Sequence, residues 1–268
     1  MAASSPRDDE LAAHYAICGA ELRAKDRDLW LAALYAPAPL RKHLHAIYAF
    51  TLEVGEIAPK VSQPMLGEMR LRWWVDAILD AAGGARAHPT ADALLDTIDA
   101  KGLDREEFAD LLEARSADLY DHPLESTGAL LEYCRRVATR PLLWSARCLG
   151  AADSANSRRA LELAGVAMGL IDAAGGLSVG RGGQFALPDE ADLEGAGSGA
   201  VARALATLAH DRYSLARELA KTLDEPSRVA LLPAARLPLY IEQLRAGGRE
   251  PSPWRRQWRL WRAARNGI

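Results

Sequence analysis

The first residues whose types and spacing could do chemistry are two acids in the segment 40–58, LRKHLHAIYAFTLEVGEIA. Apolar or small residues recur there every three or four positions, which predicts a helix with one face in the core: Leu40, Leu44, Ile47, Thr51, Val54 and Ala58. Glu53 and Glu56 fall on the opposite side of this helix, one turn apart. Carboxylate oxygens bind hard divalent cations such as Mg²⁺, so the spacing predicts a carboxylate pair that acts together.

A second segment with helical periodicity covers 64–82, with Pro64 at a first-turn position. Its spacing brings four side chains near one another, namely Met69, Trp73, Asp76 and Asp80. Trp73 and Trp74 are adjacent in the chain, and the simplest interpretation is that they line the core and a groove.

Other motifs indicate little chemistry. The stretch 175–183, GGLSVGRGG, lacks the GK[ST] ending of a phosphate-binding loop and follows no strand, so it predicts a helix end and a turn. Arg181 within it is a candidate anion contact. His43 and His45 are the only close pair among six histidines, but two residues apart on a helix they point in different directions. No GxSxG elbow is present.

Composition restricts the class of protein. The chain has 268 residues, enough for one large domain or two small ones, and we favour one. Its net charge of −3 argues against a nucleic-acid partner. The cysteines, Cys18, Cys134 and Cys148, are widely spaced and predict neither a disulfide framework nor a zinc site, which fits a cytoplasmic location. The sequence shows neither a signal-peptide pattern nor a long apolar run.

Helix-forming residues dominate and strand patterns are nearly absent, which predicts an all-α fold. Asp104 with Glu107 and Ser252 with Pro253 are typical helix starts. The predicted helices are 8–24, 27–36, 39–58, 64–82, 89–100, 104–120, 126–149, 155–178, 197–222, 226–246 and 253–265.

Three sequence stretches resemble the squalene/phytoene synthase family. They are AIYAF at 46–50, GEMRLRWW at 67–74 followed by Asp76 and Ala77, and YCRRVA at 133–138, after which Thr139 stands where the family has glycine. The resemblance covers about residues 27–265. It implies a single-domain helical bundle of the isoprenoid synthase type over 1–268, with a cavity between the helices that carry 48–56 and 163–176.

The chain departs from the catalytic members of that family at their metal-binding motifs. Catalytic members have an arginine and a DDxxD motif after the first stretch, whereas this chain has Leu52, then Gly55 and Glu56, then Pro59. Only Glu56 keeps a carboxylate in register. In the stretch 169–176, which corresponds to the second aspartate motif, Asp172 is the only acid and aligns with the family's asparagine.

This pattern is similar to the non-catalytic branch of the family, which includes a mitochondrial complex I assembly factor. The resemblance therefore implies a catalytically degenerate, membrane-peripheral binding or assembly protein whose partner is a complex I subunit or a prenyl lipid, with no cofactor. The alternative is an active Mg²⁺-dependent transferase that joins two prenyl diphosphates with divergent ligands. No metal ligand is assigned, and the candidate cavity residues are Tyr48, Glu53, Glu56, Arg72, Trp73, Asp76, Tyr133, Asp172 and Arg181.

The last segment, 253–265, combines tryptophans at i, i+4 and i+7 with five arginines and no acid. Tryptophan favours the headgroup region of a bilayer and arginine attracts anionic lipid, so the pattern is typical of an interfacial helix and would place the protein peripherally on the inner membrane. The alternative is a last helix that packs its tryptophans inward and pairs its arginines with surface acids. The candidate membrane contacts are Trp254, Arg255, Trp258, Arg259, Trp261 and Arg262.

Overall fold

The computed structural model describes residues 6–80, 87–120, 126–178, 198–247 and 250–268. No strand occurs in these ranges, and the all-α prediction is confirmed. The α-helices are α1 (Pro6–Lys25), α2 (Arg27–Ala33), α3 (Arg41–Gly55), α4 (Ile57–Lys60), α5 (Pro64–Leu79), α6 (Pro89–Lys101), α7 (Arg105–Ser116), α8 (Thr127–Cys134), α9 (Arg140–Leu149), α10 (Ala155–Ser178), α11 (Ser198–Ala220), α12 (Glu225–Leu231), α13 (Leu237–Ala246) and α14 (Pro253–Asn266).

The chain divides into two compact units, which we describe separately. The first contains α1 to α7 and the short segment Arg147–Gly150. The second contains α8, most of α9 and α10 to α14. That the whole chain behaves as one domain stays a prediction.

Helix α3 lies at the centre of the first unit, where it packs against α1 and α6. Of the six residues predicted to form the core face of this helix, three are buried: Leu44, Ile47 and Val54. The other three, Leu40, Thr51 and Ala58, are only half-buried. The middle of α3 is buried on other sides as well, because Tyr48, Ala49 and Phe50 also lie in the core. Phe50 contacts the edge of Trp74 on α5 at 5.1 Å between ring centroids.

A polar network crosses this core and joins α1, α3 and α6. The Tyr15 hydroxyl donates to Asp96 Oδ2 at 2.6 Å and lies 2.8 Å from Thr97 Oγ1. His43 Nδ1 lies 3.0 Å from the same Thr97 oxygen. Burial and the Asp96 carboxylate raise the pKa of Tyr15, so its hydroxyl stays protonated and available as a donor.

Prolines explain where the helices end differently from the prediction. The predicted helix 39–58 is interrupted after Gly55, because Pro59 has no N–H to donate to the carbonyl four residues earlier. The predicted helix 126–149 contains a π-helical turn at Arg135–Thr139, because Pro141, two residues further on, has no N–H to donate to the carbonyl of Val137. The predicted helix 226–246 contains a 3₁₀ segment at Leu232–Arg236, with Pro233 at its start.

Helix α10 is central in the second unit, where it packs against α11, α8 and the π-helical turn. Two glycines of α10, one turn apart, allow the π-helical turn and the end of α8 to approach it closely. A Cβ atom at Gly165 would lie 2.5 Å from Thr139 Cα, and one at Gly169 would lie 2.8 Å from Cys134 Cβ. Thr139, which replaces the glycine typical of the family, is therefore accommodated by Gly165 of the opposite helix.

The three cysteines are free and buried. Burial raises the pKa of Cys18 and of Cys148 to about 12, so neither thiol ionises near neutral pH.

Candidate functional site

A cavity of about 540 Å³ lies in the first unit, between α1, α3, α4, α5 and the start of α6. Both acids that the spacing of α3 predicted to act together, Glu53 and Glu56, line it. The wall also contains the acid Glu21 and two tryptophans of α5, Trp73 and Trp74. The four basic residues of the lining are Lys25, Lys60, Arg70 and His88. The cavity therefore combines acids, bases and aromatic rings.

Glu56 lies between two ammonium groups. Its Oε2 atom accepts from Lys60 Nζ at 2.6 Å and from Lys25 Nζ at 3.1 Å. The hydrogen bond from Lys60, followed by the bond from Lys25, holds the pKa of Glu56 below its ordinary value. Lys60 follows Glu56 by four residues, so the sequence spacing alone indicates this pair. Lys25 comes from the end of α1, and the sequence did not predict its contact with Glu56.

Glu53 is bound to a histidine that the sequence analysis also missed. Its Oε1 atom lies 3.0 Å from Nε2 of His88, whose ring packs against Trp73 and Trp74 with centroids 5.1 and 5.4 Å away. In the neutral ring, whose Nε2–H faces Glu53, the other nitrogen, Nδ1, accepts the backbone N–H of Ala91 at 3.4 Å and so caps α6. A histidine directly before a proline at a helix start was the available signal.

The hydrogen bond to Glu53 holds the pKa of His88 above its ordinary value, because the carboxylate stabilises the protonated ring. Glu53 of α3 and Glu56, which follows the helix directly, thus lie in one cavity but bind different bases. Each acid is occupied by a basic partner, so the pair does not present an open carboxylate surface.

Several predicted site residues lie away from this cavity. Tyr48 is buried in α3 and is not part of the lining. Arg72 and Asp76 form an ion pair with each other at 2.9 Å on the exposed side of α5. In the second unit, Tyr133 is half-buried on α8 and Asp172 is exposed on α10. Arg181 lies outside the described residues.

The fit of a magnesium ion can be judged from the donors in this cavity. Mg²⁺ requires near-octahedral oxygen ligands at short distances. The Glu56 oxygen that would bind it already accepts from two ammonium groups, and Glu53 is bound to His88. Over the described ranges, no group of three or more His, Cys, Asp or Glu residues is placed to hold a metal ion. The residues lining this cavity therefore do not fit a magnesium site.

Helix α14 in the second unit carries the predicted membrane contacts. Trp254, Trp258 and Trp261 are 71%, 48% and 40% exposed, so the rings do not pack inward. Arg255 pairs with Glu242 at 3.4 Å, as the packing alternative predicted for the arginines. No helix in the described ranges is long and apolar enough to cross a membrane.

Known proteins resemble this chain in sequence. It is 30% identical over 118 residues to the "Bifunctional protein CrtB/UppS" of Streptomyces coelicolor, a match that covers 44% of this chain and 21% of that protein. It is 26% identical over 141 residues to the Homo sapiens protein named "NADH dehydrogenase (ubiquinone) complex I, assembly factor 6", covering 52% of this chain and 42% of that protein. The chain thus spans less than half the length of either relative.

Solved structures share the fold over nearly the whole chain. A dehydrosqualene synthase in complex with ligand superposes with a TM-score of 0.75 at 20% identity, covering 94% of this chain and 96% of that one. The squalene synthase HpnC from Alicyclobacillus acidocaldarius gives a TM-score of 0.64 at 22% identity, covering 97% and 96%. The model of the squalene/phytoene synthase family matches residues 22–262, and the chain therefore belongs to that family.

Proposed function

We propose that this protein is a non-catalytic member of the squalene/phytoene synthase family that acts as a membrane-peripheral binding or assembly protein. The observation that carries this proposal is the position of Glu56 between Lys25 and Lys60. Glu56 is the one acid of the first metal-binding motif that this chain keeps in register, and two lysines occupy it.

The chemistry of prenyl transfer explains why this matters. Loss of diphosphate from an allylic carbon needs strong stabilisation of the leaving group, which divalent cations held by several carboxylates supply. In this cavity, Glu53 and Glu56 neutralise bases of the protein instead. The aromatic wall and the basic residues support binding of a molecule with a polar head and an apolar chain, such as a prenyl lipid.

The names of the relatives support an assembly role. Proteins named complex I assembly factor 6 from Rattus norvegicus and Homo sapiens match 56% and 52% of this chain. We therefore propose subunits of respiratory complex I as the protein partner.

The second candidate is an active prenyl diphosphate transferase with divergent ligands. The basic lining of the cavity, with Lys25, Lys60, Arg70 and His88, favours it, because these groups suit a diphosphate. Mg²⁺ would be the cofactor under this alternative only.

Two experiments separate the candidates. Purified protein is titrated with Mg²⁺ together with farnesyl or geranylgeranyl diphosphate, with calorimetry for binding and product analysis for condensation. We expect no condensed product, and binding of diphosphate alone agrees with the proposal. Turnover that Glu56→Ala abolishes and that Glu68→Ala, outside the cavity, leaves intact would establish the transferase instead. In cells, loss of the protein should lower the amount of assembled complex I and leave prenyl products unchanged.

A further inference from the structure

Helix α14 has two faces of different character. Leu260 and Ala263 are buried and hold one face on the second unit. At 100° per residue, Trp254, Trp258 and Trp261 lie on the opposite face, where Trp254 alone is 71% exposed. Single exposed apolar side chains are normal on a protein surface, but three tryptophans together on one exposed face form a patch that requires an explanation.

Two arginines attach the helix to its own unit. Arg256 Nη1 donates to Tyr240 Oη at 3.3 Å and also pairs with Glu250. Arg259 Nε donates to the carbonyl of Ala235 at 3.1 Å. These side chains fix the helix, and they are not free to contact a ligand. Among the predicted membrane contacts, Arg259 therefore has a structural role.

The exposed face forms a continuous aromatic ridge. The Trp254 and Trp258 rings are nearly parallel with centroids 6.3 Å apart, and the Trp258 and Trp261 rings are nearly parallel at 4.8 Å. The Arg265 guanidinium lies over the Trp261 ring, 5.0 Å from its centroid. The three rings therefore form one stacked row on the surface.

Positive charge lies along one side of this ridge. Arg255, Arg262 and Arg265 are exposed beside the tryptophans, and α14 contains no acid. Arg255 contacts Glu242 at 3.4 Å, while Arg262 and Arg265 have no carboxylate partner in the part of the chain that the structure describes. This local charge stands out because the whole chain has a net charge of −3.

We infer that the tryptophan and arginine face of α14 binds the surface of an anionic lipid bilayer. The indole rings would enter the headgroup region and the guanidinium groups would pair with lipid phosphates. A helix of 14 residues is only about 20 Å long. Such a single ridge is small for a stable protein interface, which buries roughly 800 Å² per partner, but it suits an interfacial helix. This inference deepens the membrane-peripheral part of the proposed function and rests on it.

The test is co-sedimentation of the full chain with vesicles of phosphatidylcholine alone or of equimolar phosphatidylglycerol and phosphatidylcholine. Wild type should pellet with the anionic vesicles at low salt and be released by high salt, because salt screens the arginines. A triple Arg255→Gln, Arg262→Gln, Arg265→Gln variant should bind on the order of a hundredfold more weakly, roughly fivefold for each basic residue. Circular dichroism confirms that each variant is folded.

Two matched control variants test whether binding depends on this face of α14 or only on total charge and total exposed apolar surface. Arg135, Arg158 and Arg159 are exposed arginines of the same unit outside α14, so their triple change to Gln removes the same charge and should leave binding near wild type. Trp254→Ala, Trp258→Ala and Trp261→Ala together should weaken binding at least about tenfold, whereas Leu215→Ala, which removes another exposed apolar side chain, should not.

The outcomes distinguish this inference from the proposed function. Equal pelleting of wild type and both α14 variants would overturn the inference and leave another surface as the membrane contact. If wild type does not pellet at low salt, both the inference and the membrane-peripheral part of the proposed function are overturned. Whether the protein is a catalyst is tested separately, by the product analysis described above. If the tryptophan variant changes only the oligomeric state, measured by light scattering, the face is a protein interface and the inference fails.

Discussion

The imidazole of His88 is bound to the carboxylate of Glu53, with 3.0 Å between Nε2 and Oε1. The pair joins the start of α6 to the last turns of α3 and lies in the wall of the candidate cavity. Because the same imidazole caps α6 through Nδ1, the cavity wall and the helix start depend on one side chain. The protonation of His88 is therefore a direct reporter of this site.

The first prediction concerns the pKa of His88. The Glu53 carboxylate holds that pKa above its ordinary value of 6.5, so Glu53→Gln should lower it. Nuclear magnetic resonance titration of the ring protons measures the shift. His43 is the internal control, because burial lowers its pKa to about 4 without any contribution from Glu53. An unchanged pKa of His88 in the Glu53→Gln variant would show that Glu53 does not stabilise the protonated ring.

The same pair predicts how stability depends on pH. A raised folded pKa contributes stability that is complete below the unfolded pKa of 6.5 and is lost as pH rises through the folded pKa. Glu53→Gln should therefore be destabilised more near pH 6 than near pH 9, by less than about 1 kcal/mol, because the two side chains are 33% and 28% exposed. Urea unfolding across this range measures the difference. If the destabilisation caused by Glu53→Gln were larger at high pH than near pH 6, the prediction would be contradicted.

The close approach of α10 to the π-helical turn gives a steric prediction. Gly165→Ala places a Cβ atom 2.5 Å from Thr139 Cα, so it should lower the free energy of unfolding by about 1–3 kcal/mol. Gly175→Ala, in the same helix, meets no heavy atom within 4 Å and should stabilise by less than about 1 kcal/mol. Thermal unfolding of both variants provides the comparison, and equal effects would show that the packing is looser than described.

The polar network of the first unit gives the next prediction. Tyr15→Phe removes the hydroxyl that donates to Asp96. It should lower the free energy of unfolding by about 1–2 kcal/mol, because Asp96 Oδ2 then lacks this hydrogen-bond donor. His43 and Thr97 keep their own contact at 3.0 Å. Tyr35→Phe, at an exposed tyrosine, is the matched control and should have no measurable effect. Denaturant unfolding measures both, and a neutral Tyr15→Phe would mean that water replaces the hydroxyl.

Local periodicity predicted much of the fold, because helix formation depends on residues three and four apart. The predicted helix 155–178 matches α10 at both ends. Where prolines interrupt a periodic pattern, as at Pro59 and Pro141, the pattern alone missed the break. The glycine that permits the close approach at Thr139 is Gly165 of α10, and the pattern within one segment did not reveal this contact with another.

The site was predicted only in part, for a related reason. The spacing of Glu53 and Glu56 placed both acids on one side of the predicted helix 39–58, and both line the cavity. Their partners Lys25 and His88 come from other helices, and no periodicity within one segment reveals contacts between segments. The exposure of the α14 tryptophans likewise depends on which face of the helix meets the rest of the second unit.

The burial of all three cysteines has a practical consequence. The thiolate is the form of cysteine that attacks thiol reagents, and burial suppresses ionisation of Cys18 and Cys148 while Cys134 is fully enclosed. A new cysteine at an exposed position should therefore react with a maleimide before any native thiol does. Single fluorescent or spin labels can then be placed along α14 in the natural sequence, so that the depth of each position in a bilayer is measured directly.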